Sequence, residues 1–245
     1  MDDILGLNNE VVRLKYNIVE FNEVTFDEYK VWFEKYKRNN DVNEIKFQNE
    51  IVKKFISTIC TDLDIENSEK KGPETPKHDY LQYCGTYTDE QGDEKASTPD
   101  LVITKNWNWL NKENNVDYRA VVEVKSPYLQ PIYNKDYEKY GEKLKNELRR
   151  HLSAKDNDKV ILTDTLKWEF YKKNKEDNEL VPIQTFRLYD LTDKKGNWDW
   201  KKGESDIKDN DVIKGTLGDS LQYTKEMKEF KELKSFLVEF LENGE

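Results

Sequence analysis

Within residues 98–126 the chain reads Thr98-Pro99-Asp100-Leu101-Val102-Ile103, a polar spacer, and then Ala120-Val121-Val122-Glu123-Val124-Lys125-Ser126. An acid opens one apolar strand, and a second acid shares the next strand with a lysine two residues later. Side chains alternate along a strand, so Glu123 and Lys125 are expected on one face, with Val122 and Val124 on the other. Two carboxylates and an ammonium gathered on one sheet face can hold a hard divalent cation and manage the water beside it. Metal-assisted phosphodiester hydrolysis is the chemistry this permits.

Glu-x-Lys carries no information by itself, because it also occurs at Glu28, Glu44, Glu69, Glu226, Glu229 and Glu232. Those copies lie in charged sequence typical of exposed helices and loops. Only the copy at Glu123 sits in a β-branched apolar run, where a charge is costly unless paired or bound to metal. Pro99-Asp100 is the only Pro-Asp of the chain.

On these residues the chain resembles the PD-(D/E)xK nuclease superfamily, with Pro99-Asp100 as the first element and Glu123-Val124-Lys125 as the second. Glu147-Leu148-Arg149-Arg150-His151-Leu152 falls where related nucleases carry a helix resembling Gln-x-x-x-Tyr-Leu. Val160-Ile161-Leu162-Thr163-Asp164 and Trp168-Glu169-Phe170-Tyr171 resemble the two strands that follow it in restriction-type members. The order is most similar to the nuclease domains of type I restriction motor subunits and their stand-alone relatives. The likeness spans residues 43–172. It implies Mg²⁺, or Mn²⁺, held by Asp100, Glu123 and the Val124 carbonyl, with Lys125 beside the scissile phosphate. It further implies DNA cleavage in restriction or phage defence.

Family members often carry a metal-reaching glutamate on the first core helix. Glu44 heads a stripe with Phe47, Ile51 and Phe55 that faces the sheet, although a capping box with Asp41 would use the same carboxylate. Glu50, among Lys46, Lys53 and Lys54, reads as solvated. Glu147 and His151 lie one helical turn apart and point the same way. The matching family positions are usually Gln and often Tyr. Glu147 therefore binds metal, pairs with Arg150 or Lys143, or lies on an exposed face. Lys143, Arg149 and Arg150 are the expected phosphate contacts. Trp107, Trp109, Trp198 and Trp200 could stack on bases, but core or loop packing is the commoner use of such residues. His78 has no supporting partner in the sequence.

The order of elements points to an α/β chain with a mixed sheet flanked by helices and N- and C-terminal helical elaborations, in agreement with the restriction-endonuclease-like core that the resemblance implies. The Thr25-Phe26-Asp27-Glu28 capping box opens a helix to about Arg38, with Phe26, Tyr29, Trp32, Phe33 and Tyr36 inward. A second helix is expected over 43–60 and a polar loop over 61–78. Strands follow at 80–87, 98–105 and 118–126 as an antiparallel meander, with 89–96 a turn and 106–117 a loop. A helix over 135–154 permits a parallel return at 159–163. Strands at 166–172 and 183–190, a surface excursion over 192–211 and a helix over 222–242 complete the order. The last helix should bury Met227, Phe230, Leu233, Phe236, Leu237, Phe240 and Leu241. One domain over 1–245 is expected, with its core at 43–172, an extension at 1–42 and an elaboration at 173–245.

The 245 residues include 6 Trp, 14 Tyr and 10 Phe, enough bulk for a core despite only 36% hydrophobic and 37% charged content. No apolar run approaches the roughly 18 residues of a membrane span, and no signal-peptide core is present. Cys60 and Cys84 are too few for a zinc ribbon or an iron–sulfur cluster, and a reduced, cytoplasmic chain is expected. The formal charge of −10 opposes DNA binding, which rests on Lys and Arg. A metal cation offsets part of it, and a local basic surface can coexist with an acidic remainder. DNA is the expected partner, with a motor or methylase subunit, or a homodimer, as further candidates. A non-catalytic nucleic-acid-binding or assembly module, and an RNA or repair nuclease, are the alternatives.

Overall fold

The computed structural model describes residues 24–39, 43–67, 86–89, 91–106, 116–127, 137–173, 180–193, 197–202 and 227–242. Its centre is a six-stranded mixed sheet flanked by helices, with spatial order β1-β4-β5-β6-β7-β8. The strands are β1 (Asp64–Asn67), β4 (Leu101–Lys105), β5 (Asp117–Val124), β6 (Lys159–Thr163), β7 (Lys167–Lys172) and β8 (Gln184–Arg187). Only β5 and β6 run parallel, and helix α4 (Tyr137–Ser153) lies between them in sequence. A parallel pair needs such a long crossover, whereas its antiparallel neighbours do not.

Both faces of the sheet are covered, so its central strands are apolar on both sides. Ile103, Val122, Val124, Ile161, Trp168 and Phe170 form one core with helices α1 (Phe26–Arg38), α3 (Lys54–Ile59) and α5 (Lys228–Glu242). On the other face Val102, Val121, Val160 and Leu162 meet Leu148 and Leu152 of α4. The period of two thus assigns Glu123, between Val122 and Val124, to the α4 side.

Helix α1 starts at the expected capping box, with Thr25 and Glu28 exchanging side-chain and backbone hydrogen bonds. Tyr29 and Phe33 are fully buried and Trp32 partly so. The second helix is interrupted: α2 (Glu44–Phe47) passes into a π-helical turn (Gln48–Lys53) before α3. The wider turn keeps Phe47, Ile51, Val52 and Phe55 inward and also buries Gln48.

Four regions depart from the sequence reading. The polar 61–78 stretch contains β1, an edge strand paired antiparallel to β4. The meander is therefore β1-β4-β5, and the described end of the strand expected at 80–87 belongs to β2 (Thr86–Thr88), in a separate hairpin with β3 (Glu94–Ala96) inside the supposed turn. The 183–190 strand splits at Leu188, and β9 (Tyr189–Leu191) pairs with β10 (Trp198–Trp200) instead. Trp198 and Trp200 are no surface excursion: their rings pack edge-on against Phe33 at 5.9 and 5.2 Å. Aromatic burial outweighs the charged flanks. Residues 1–23, Cys84, His78, Trp107 and Trp109 lie outside the described residues.

Helix α5 buries Phe230, Leu233, Leu237, Phe240 and Leu241 as expected, with Met227 buried just before its first residue and Phe236 partly covered. It has no basic residue in its last turn. Its terminal carbonyls instead accept from Lys159 (Phe240 O, 2.8 Å) and Arg119 (Glu242 O, 2.9 Å). Cations at a helix C-terminus complement the dipole and its unpaired carbonyls.

The β6–β7 turn is closed by Asp164, whose Oδ1 accepts from the N–H groups of Leu166 (3.0 Å) and Lys167 (2.6 Å). Tyr29 Oη donates to Thr165 O at 2.7 Å and ties α1 to this turn. Burial pushes the Asp164 carboxyl up to about 7. A raised native pKa gives stability that is complete near pH 4 and is lost as pH rises towards 7. Asn keeps the acceptor without the charge. Asp164→Asn should therefore gain on the wild type across that window, by about 5 °C in unfolding temperature at pH 8. Parallel melting curves from pH 4 to 8 would show no widening gap if this carboxyl did not titrate there.

Candidate active site

Four stretches of chain converge beside the carboxyl end of β5. Asp100 ends the segment before β4, Glu123 and Lys125 lie at the end of β5, Glu44 starts α2, and Glu147 and His151 come from α4. The expected face-sharing of Glu123 and Lys125 is present, and their side chains form a close ion pair. Lys125 Nζ also lies 3.4 Å from Glu147 Oε2. Glu147 thus pairs with Lys125 and not with Arg150 or Lys143, because α4 turns its 147/151 edge towards the sheet.

Asp100 is anchored twice. Its Oδ2 accepts from the Val124 N–H at 2.6 Å, and its carbonyl accepts from Gln48 Nε2 at 3.0 Å. Val124 therefore contributes its N–H here, beside the carbonyl that the family resemblance points to. Glu44 Oε2 accepts from the Ser126 N–H at 3.2 Å. Asn43 is the N-cap of α2, accepting from the Ile45 N–H, while Asp41 lies outside the described residues. The Glu44 carboxylate is consequently released from capping and reaches the strand end. Glu50 is exposed, as expected.

Glu123 is 3% exposed and engaged at both oxygens, Oε1 by Lys125 and Oε2 by His151 Nε2 at 3.1 Å. His151 Nδ1 lies 2.8 Å from Ser97 Oγ. Sequence reasoning did not join Ser97, His151 and Gln48 to the site. His151 stands three residues after the buried Leu148, so its place on the inward stripe was readable, but its partner was not.

The electrostatics follow from four carboxylates around one ammonium. Burial, then the neighbouring Glu123 charge, pushes the Asp100 carboxyl up to about 8. Burial likewise raises Glu44, against the pull of Lys125. Burial opposes ionisation of Glu123 too, but the His151 hydrogen bond and the Lys125 charge overcome it and hold the group low. Burial works against the charged Lys125, and Glu123, Glu147 and Asp100 more than compensate, so its pKa rises.

Hard oxygen donors of this kind suit Mg²⁺ or Mn²⁺. Among the described residues no group of three or more His, Cys, Asp or Glu is gathered tightly enough to hold a metal ion as it stands. Lys125 and His151 take the two oxygens of Glu123, and the Lys125 ammonium supplies the positive charge among the acids. The donor types fit a divalent cation provided that Lys125 yields its place on Glu123.

Lys143, Arg149 and Arg150 are exposed on α4. They do not share one face. Arg149 donates to Asn146 Oδ1 at 2.9 Å and lies 3.8 Å from Glu142. At 100° per residue, Lys143 and Arg150 flank Glu147, whereas Arg149 falls on the far side of the helix. The pair Arg149-Arg150 is thus split, and only Lys143 and Arg150 border the site.

No helix among the described residues is long and apolar enough to cross a membrane. In comparisons with known proteins, no family model, no curated protein and no solved structure matches this chain.

Proposed function

We propose that the protein is a metal-dependent endonuclease acting on DNA, with a restriction-endonuclease-like core and a role in restriction or phage defence. The observation that carries this reading is the convergence of Asp100, Glu123, Lys125 and Glu44 at one strand end, where Glu44 meets the Ser126 N–H 82 positions away in sequence. Asp100 and Glu123 would hold Mg²⁺ or Mn²⁺, with Glu44 and the Val124 carbonyl as further oxygen donors. A cation bound there supplies Lewis-acid polarisation of a phosphoryl oxygen and eases ionisation of water. Lys125, once off Glu123, orients the attacking water and offsets charge building on the phosphoryl oxygens. Glu123, Glu147 and Asp100 hold Lys125 protonated by their charge, which suits electrostatic stabilisation better than proton abstraction.

A second reading, a nucleic-acid-binding or assembly module without catalysis, draws on the net charge of −10 and on the doubly engaged Glu123. Incubation with plasmid, linear DNA and RNA, each with Mg²⁺, Mn²⁺ or EDTA, separates the two. Cleavage that EDTA abolishes supports the enzyme; intact nucleic acid under every condition removes it, and RNA-only cleavage changes the substrate.

Phosphate contacts should be few on so acidic a chain, and affinity in Ca²⁺ should fall with salt on a shallow slope. Arg150→Ala should weaken binding several-fold and alike on unrelated sequences, because phosphate contacts carry no base information. Arg149→Ala, on the far side, should matter less. Equal effects of the two would show that α4 meets DNA in another orientation.

A further inference from the structure

We propose that His151, held by Ser97, is a positioning residue that clamps Oε2 of Glu123 and leaves Oε1 alone turned towards Lys125. The inference rests on the nuclease reading above and concerns how one of its acids is aimed. The three side chains come from separate elements, the segment before β4, the end of β5 and the last turns of α4. All are sealed from solvent, Ser97 at 2% and His151 and Glu123 at 3% exposure.

Hydrogen-bond chemistry allows one arrangement of a neutral ring. A carboxylate only accepts, so Nε2, 3.1 Å from Glu123 Oε2, carries the hydrogen. Nδ1 is then an acceptor, and the Ser97 hydroxyl at 2.8 Å is the donor it meets. The carboxylate thus selects the tautomer, Ser97 holds the ring orientation through Nδ1, and the ring in turn fixes the carboxylate orientation. Glutamate reaches its carboxylate through three rotatable bonds, and a carboxylate with one partner can turn. With Oε2 committed to α4, Glu123 offers a single oxygen to Lys125 or to a cation in its place.

Serine, histidine and an acid in a row also occur in hydrolases with a serine nucleophile. Burial excludes that use, since a hydroxyl 2% exposed meets no substrate. The chain of contacts also runs the other way, from Ser97 inward to the acid that meets Lys125. Outer partners of metal-site ligands are commonly worth 10–100-fold in affinity or activity.

The test compares wild type with His151→Leu, His151→Gln and Ser97→Ala. Leucine keeps bulk without a donor, and glutamine returns an N–H near the place of Nε2. Three quantities are read: kcat and KM for plasmid cleavage in Mg²⁺, Mn²⁺ binding by calorimetry without DNA, and the His151 tautomer by ¹⁵N NMR. Unfolding curves establish which variants fold. Expected are the Nε2–H tautomer in wild type and, in His151→Leu, an about 100-fold lower kcat, an about tenfold weaker Mn²⁺ site and KM within about threefold. Glutamine should recover most of kcat, and Ser97→Ala should keep the Nε2–H tautomer but lose about tenfold in kcat. A folded His151→Leu with wild-type kcat and Mn²⁺ affinity overturns the proposal, as does a folded His151→Gln no better than leucine. If leucine prevents folding, Ser97→Ala decides, and an unchanged kcat in it overturns the proposal. A cleaving wild type with indifferent variants removes the clamp alone, whereas a wild type that neither cleaves nor binds Mn²⁺ removes the nuclease reading and the clamp together.

Discussion

Lys125→Ala is expected to lower Mg²⁺-dependent DNA cleavage by about 10³-fold while leaving the fold intact, since one preorganised electrostatic donor at a reacting centre is commonly worth that much. Lys125 is the ammonium paired to both Glu123 and Glu147, and nothing in those acids can stabilise charge on a phosphoryl group. Its side chain is 31% exposed, and its backbone N–H donates to Thr163 O at 2.9 Å whatever the side chain is. The sheet therefore loses no hydrogen bond. Asp100→Ala and Glu123→Ala should abolish cleavage too, by removing oxygen donors. Gel assays on protein of checked unfolding temperature decide the matter, and near wild-type cleavage by Lys125→Ala would remove the mechanism.

Mg²⁺ or Mn²⁺ should raise the unfolding temperature of the wild type, by about 3–5 °C at a tenfold excess over the dissociation constant. Asp100→Asn should behave in the opposite sense: more stable than wild type without metal at pH 9, and indifferent to metal. The Asp100 carboxyl is pushed up to about 8 by burial and by Glu123. Its native pKa exceeds the unfolded value, so the stability it confers when protonated is lost as pH rises through about 8. Asparagine still accepts from the Val124 N–H but has no charge to bury. A site that is costly to the empty fold is what a function-bearing acid cluster should look like. Thermal scans with and without metal at pH 9 test both halves. An equal metal shift in wild type and Asp100→Asn would place any cation elsewhere.

Much of the scaffold was legible because its signals are local. The capping box at Thr25, the apolar stripe of α5 and the alternation around Glu123 depend on spacing along a few turns or one strand. Less legible were β1 and the β2–β3 hairpin, short polar strands whose pairing depends on an available partner. Trp198 and Trp200 were expected to pack rather than to stack on bases, but within a charged segment the sequence does not show their partners, Phe26 and Phe33 of α1.

For the site, the residue order by itself determined that Glu123 and Lys125 share a face, because side chains on a strand alternate, and that Asp100 opens a neighbouring strand. Glu147 and His151 were equally bound to one edge of α4 by its periodicity. Tertiary structure alone decided which groups meet: Glu147 with Lys125, His151 with Glu123 and Ser97, and Glu44 with the Ser126 N–H. The reason is physical. Spacing sets the direction of a side chain relative to its own element, whereas ion pairs and hydrogen bonds a few ångströms long depend on how separate elements pack, and no residue records its distant partner.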